Sequence, residues 1–243
     1  MKYTASDFTF QAPPVVARAR RILIKPSAGS SSSYPVSTSR GMMSNIIEGI
    51  RKVSDADIII LDGTVDGSSV MPIYKTLGYD FARVLLLDVK DCVWVEVDNP
   101  LPKPLAMPTF WIPNVILSSD YLISVTPLKE VKGHGWLSIK NLLSLLPSKK
   151  YGGGRTGWRD LYALGIDRVI ADLYFTLPFD LGIIEAQQKL VTEDMNEEGQ
   201  TEKVGEVFLG EPFQVDREVS ETTGVKADYL NLIRLAESGL DII

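Results

Sequence analysis

One cysteine and one histidine occur in 243 residues. The lone Cys92 excludes a disulfide within the chain. It also excludes an iron–sulfur cluster held by the chain's own thiolates, which takes about four. With His134 as the single histidine, tetrahedral zinc built from Cys and His is equally excluded. No apolar stretch approaches the ~20 residues of a membrane span. The opening MKYTASDFTFQAPP lacks the apolar centre of a signal peptide. A cytoplasmic protein is the expectation. There is no G-x-S-x-G elbow and no Gly-Lys-Ser/Thr phosphate loop, so serine-hydrolase and P-loop chemistry find no support.

What is present is an ordinary globular composition. An apolar fraction of 45% supports a sizeable core, and a net charge of −6 argues against general binding to nucleic acid or anionic membrane. The charge is uneven. Seven basic residues against Glu130 alone lie between Lys129 and Arg159, whereas eleven acids face three bases between Glu185 and Glu221. A cationic patch on an acidic chain suits a small anionic ligand better than a polymer.

Short β-rich runs alternate with helical patterns. RRILIKP, DADIIILDG and YLISVTP read as strands, the last two as runs buried on both faces. Ser39 is placed to cap a helix through RGMMSNIIEGIRKV. RVLLLDV and CVWVEVDN suggest a hairpin, and a helix is expected from about Ser138 to Leu146. LGIIEAQQKLV and EVFLGE read as strands; FQVDREVSETTG and DYLNLIRLAESG read as helices ended by glycine. The pattern predicts an α/β fold with a mainly parallel, doubly wound sheet, helices on both faces and some antiparallel or hairpin additions. One domain over residues 1–243 is expected, with 1–19 as an N-terminal extension and 191–203 as a solvated acidic insertion.

Ligands of such sheets collect beyond the carboxyl ends of the strands. Lys25, closing RILIK, either snorkels to water or points into that crevice as a charge or a base. Ser37, Thr38 and Ser39 end a serine-rich loop at a helix amino terminus, which offers hydroxyls and N–H groups to an anion or is simply a capped surface loop. Asp62, ending IIIL, could accept a ligand hydroxyl, serve as a weak metal candidate or hold a turn. Lys129, Lys140, Asn141 and the loop KKYGGGR with Arg155 form a cationic group, the glycines permitting an anion-binding concavity. Lys25, Lys140 and Asp62 are the catalytic candidates. His134, between two glycines, reads as exposed and incidental.

The ordered set RILIKPSA, PVSTS, DADIIILDG, YLISVTPLK, IKNLLSLLP, ADL, PFDLGIIEA, GEPFQVDREVSETTG and YLNLIRLAESGL resembles domain-of-unknown-function family 362 over about Arg20 to Leu240. The resemblance aligns Lys25, Thr38, Asp62, Lys129, Lys140, Asn141, Asp180 and Asp216 with its motif positions. Here Ser27 replaces the family's asparagine, and Lys129-Glu130-Val131 stands where a lysine-threonine-histidine recurs. Many relatives carry ferredoxin-type modules, which implies a redox setting for some of them. Three readings follow: a protein that binds a small phosphorylated or carboxylated metabolite, an accessory protein docking a separate iron–sulfur protein, and a degenerate, non-catalytic structural subunit. No cofactor is named by the residues.

Overall fold

The computed structural model describes residues 1–152, 158–194 and 198–239. In chain order the elements are β1 (Lys2–Thr4), β2 (Arg21–Lys25), α1 (Arg40–Arg51), β3 (Asp57–Asp62), α2 (Met71–Leu77), β4 (Val84–Asp88), β5 (Trp94–Asp98) and β6 (Thr109–Pro113). There follow α3 (Asn114–Leu117), β7 (Tyr121–Val131), β8 (His134–Trp136), α4 (Arg159–Ala163), α5 (Ile166–Thr176), β9 (Leu181–Thr192), β10 (Gln200–Gly210), α6 (Pro212–Thr223) and α7 (Tyr229–Glu237).

The main sheet runs β1-β10-β9-β7-β2-β3-β4, with β8 paired to β7. Strands β9, β7, β2, β3 and β4 are mutually parallel, whereas β1, β10 and β8 join antiparallel. The expected mainly parallel sheet with antiparallel additions is therefore present. After β2 the chain winds outward through β3 to β4, then returns to lay β7 on the opposite side of β2. The winding reverses between β2 and β7, and that boundary is where a crevice opens in such sheets.

Burial explains the continuous apolar runs. Ile22, Ile24, Ile58, Ile60, Ile123 and Val125 pack on one face against Met43, Ile46, Ile47 and Ile50 of α1 and Tyr74 of α2. Leu23, Ile59, Leu61 and Leu122 pack on the other against Ile139, Leu142, Leu143, Ile170, Leu173 and Ile233. Each such fully buried side chain contributes about 1.5–3 kcal/mol. Helix α1 starts where expected, the Ser39 hydroxyl accepting Met42 N–H at 2.9 Å. Helix α6 is capped by Glu211, starts with Pro212 and stops at left-handed Gly224.

Three expectations are corrected. RVLLLDV and CVWVEVDN do not form a hairpin: β4 lies parallel to β3, and β5 pairs with β6 in a separate two-stranded sheet. A 3₁₀ turn over Val89–Asp91 redirects the chain, held by Asp88 accepting Lys90 N–H and by the Trp94 indole donating to Val89 C=O. The Ser138–Leu146 stretch is a 3₁₀ turn over Lys140–Leu145 rather than an α-helix. Asp216 already takes the Ser138 and Ile139 N–H groups, and Pro147 bars extension. Residues 1–19 are more than an extension: β1 completes the sheet edge, and Phe10 and Val16 are buried beside α1. Val191 and Thr192 close β9 and Gln200 to Lys203 open β10, and the described residues between the two strands are exposed. Lys189 there holds Glu202 at 2.9 Å and Glu130 at 3.4 Å.

Candidate functional site at the switch point

Lys25 is the last residue of β2, and its side chain does not reach water. Its Nζ lies 2.9 Å from Asp62 Oδ1 and donates to Asn141 Oδ1 at 2.9 Å and to Pro26 C=O at 2.6 Å. Asp62 ends β3, and its carboxylate is held by four protein groups. Besides Lys25 it accepts Ala28 N–H at 2.8 Å, Gly63 N–H at 2.9 Å and the Ser144 hydroxyl. Asn141 Nδ2 donates to Lys25 C=O and Val125 C=O at 3.3 Å and to Ser124 Oγ at 3.1 Å. Asn141 and Ser144 face the cluster together because a 3₁₀ turn stacks residues three apart.

Lys129 enters from the far half of β7. Its Nζ donates to Ser27 Oγ at 3.1 Å and Val36 C=O at 3.0 Å, and lies 5.9 Å from the Trp136 ring centre. Burial first, then the neighbouring Lys25, lowers its pKa to about 7, with Asp62 and Asp194 pulling the other way. Burial also lowers Lys25, opposed by Asp62. Two lysines from separate strands thus meet behind one carboxylate. They line a cavity of about 20 Å³ with Ser27, Ala28, Asp62, Asn141, Ser144 and the indoles of Trp136 and Trp158. That volume holds about one water.

The other sequence-derived candidates lie elsewhere. Ser37 Oγ donates to Ser30 C=O, and Thr38 accepts Ser27 N–H and donates to Val125 C=O, so both close the loop from within. The α1 amino terminus already holds a carboxylate: Ser39 N–H donates to Glu185 Oε2 at 3.0 Å. The expectation that Ser37 to Ser39 receive a ligand anion is corrected accordingly. Burial raises the Glu185 pKa, and Ser39 opposes the shift.

Lys140 is buried, but it does not line the cavity. Its Nζ sits 5.3 Å from the Trp136 ring centre, and burial lowers its pKa against Asp167 and Asp228. Asp62 is committed to Lys25 and three protein donors, which replaces its reading as a metal ligand. Among the described residues no cluster of three or more His, Cys, Asp or Glu could hold a metal. His134 is exposed, 3.7 Å from Asp228. Arg155 lies outside the described residues. Asp180 and Asp216 are anchors: Asp180 accepts Leu122 N–H, and Asp216 accepts Ser138 N–H, Ser138 Oγ–H, Ile139 N–H and the Tyr229 hydroxyl.

Sequence reading missed Trp136, Trp158, Ser144 and Glu185. The tryptophans were detectable, since GHGWLS and TGWRD place large rings beside glycines, away from any amphipathic stripe. Ser144 was detectable as the third residue after Asn141. Glu185 carried no local signal, because β9 meets α1 only in the folded sheet.

The fold and cluster define a doubly wound α/β protein with a buried, lysine-bearing polar cluster at its switch point. The sequence model of one family, described as a domain of unknown function (DUF362), matches residues 22–220, and the chain belongs to that family. No curated protein matches the chain. Among solved structures it is similar to the lactate racemase apoprotein from Thermoanaerobacterium thermosaccharolyticum, with TM-score 0.54 and 14% identity. The match covers 90% of this chain and 53% of that one, so the chain spans about half the racemase's length. At that identity the likeness is one of fold. No helix among the described residues is long and apolar enough to cross a membrane.

Proposed function

We propose that the protein binds a small anionic metabolite, carboxylated or phosphorylated, beyond the carboxyl edge of its sheet, with Lys129 as the cation that meets it. One observation carries this reading. Lys25 and Lys129, on strands either side of the winding reversal, converge on one cavity that Asp62, paired with Lys25, also lines. Buried ammonium groups cost stability, and packing alone gives no reason to bring two together. Lys25 and Asp62 form the fixed frame. Lys129, with its pKa near neutrality, can hold a bound anion as a cation or accept a proton as an amine. The cavity is small, so one end of the ligand enters while the rest lies outside.

Thermal unfolding in the presence of small carboxylates and phosphates tests the reading. A ligand at a hundred times its Kd stabilises by about 2.7 kcal/mol, which moves Tm by several degrees at this size. The shift is expected for wild type and is lost in Lys129→Met. Equal shifts in both proteins would refute the assignment.

A further inference from the structure

Lys129 is 2% exposed, so a ligand reaches its amine only when part of its cover moves. Much of that cover is fixed. Trp136 and Trp158 belong to the hydrophobic core, and Asn141 is bonded to β2 and β7. Gly63 is packed so closely that a Cβ there would meet Ser144 C=O at 2.8 Å. Another part of the wall, Ser27 to Gly29, begins the serine loop between β2 and α1. That loop is tied at its two roots. Ala28 N–H donates to Asp62, Lys129 donates to Ser27 Oγ and Val36 C=O, and Thr38 donates to Val125 C=O.

The middle of the loop is held differently. Ser31 and Ser33 are exposed, and the hydrogen bonds of residues 29–33 stay within the loop. Between Ala28 and Val36, among the described residues, the Tyr34 hydroxyl alone makes hydrogen bonds outside it. It accepts Gln188 N–H at 2.8 Å and lies 3.2 Å from Gln188 C=O and 3.4 Å from Glu185 C=O. A bulge in β9 presents these groups. Pro127 pairs with Glu185 and Leu128 with Lys189, so Ala186 to Gln188 have no mate on β7, and Gln188 N–H turns to the tyrosine. The geometry points to residues 29–35 as a flap over the Lys129 cavity, latched by the Tyr34 hydroxyl on the β9 bulge. Segments with few bonds to the rest of a fold open well below the cost of unfolding. Release of the latch lifts the middle of the loop, while Ser27 and Thr38 keep its roots in place. The inference deepens the anion-binding reading above by naming what closes that site.

The test measures how fast trace acetic anhydride acetylates each lysine of the full chain at pH 8, by peptide mass spectrometry and with no ligand added. Tyr34→Phe keeps the ring and removes the latch. Lys129 should then react about fivefold faster than in wild type, as for loss of one neutral hydrogen bond, while exposed Lys52 reacts as before. Repeating the rates in sub-denaturing urea separates a flap from unfolding. Local opening exposes little surface and leaves the Lys129 rate nearly flat, whereas unfolding makes it climb with the global m. An unchanged Lys129 rate in Tyr34→Phe, or a rate that climbs with the global m, would overturn the latch and leave the anion site standing. If the variant reacts as expected while neither acetate nor phosphate raises the wild-type Tm, the latch stands and the anion-binding reading falls.

Discussion

Holding Lys129 inside the fold should make the protein more stable in mild alkali than at neutral pH. Unfolded, its ammonium titrates near 10.5; folded, it titrates at about 7. Between those values the unfolded chain binds the extra proton, so stability rises with pH through the window and levels off above 10.5. Integrating the linkage for those two values gives a rise of about 2 kcal/mol between pH 7 and pH 9 from this residue alone. Lys25, also lowered by burial, adds in the same direction. The tyrosines raised by burial oppose it, but only as pH passes their ordinary value of 10. Lys129→Met keeps the volume and removes the titration, so the difference between the two proteins isolates Lys129. Urea unfolding of wild type and variant at half-unit steps from pH 6 to pH 9 is the assay. The wild-type curve should climb about 2 kcal/mol more steeply than the variant's over pH 7 to 9. Parallel curves would refute a buried, neutral-titrating Lys129.

Lys25→Met removes one partner of a pair that water does not reach and leaves the Asp62 charge buried. A loss of about 3–5 kcal/mol in urea unfolding is expected, partly recovered by adding Asp62→Asn; a loss under about 1 kcal/mol would show the pair is not structural. Asp216 is buried and titrates at about 6, above an ordinary carboxylate, chiefly because of burial. The folded chain holds its proton more firmly, so its contribution is complete below about pH 4 and is lost as pH rises through 6. Asp216→Asn should flatten that fall in an acid titration of stability, and an unchanged slope would reject the assignment. Ser39→Ala should cost about 1 kcal/mol through loss of the α1 cap, read as a lower urea midpoint at constant m.

The parallel core was legible because strands buried on both faces have only apolar choices. RILIK, DIIILD and YLISV admit no other packing at this length, and they placed Lys25 and Asp62 at strand ends directly. Lys129 was legible as a cation near the β7 crevice, although β7 runs longer than YLISVTP. Three things were not. Glu185 meets the α1 amino terminus through a contact spanning 146 residues, which no window of sequence shows. Lys140 and Asn141 are neighbours in a turn read as helical; the 3₁₀ geometry sends Asn141 to Lys25 and Lys140 toward Asp167 and Asp228. The strand CVWVEVD carries the same β signal whether it pairs with the strand before it or after it. The turn at Val89–Asp91 decides, through side-chain bonds that form with the fold.

The claim that an anion is held by a protonated Lys129 has a direct thermodynamic signature. Calorimetric titration of acetate at pH 7.5, in two buffers of different ionisation enthalpy, counts the protons taken up on binding. With Lys129 titrating at about 7, wild type should take up more than about half a proton per acetate bound, and Lys129→Met should bind weakly or not at all. Saturable binding that is proton-neutral and unaltered in Lys129→Met would contradict it.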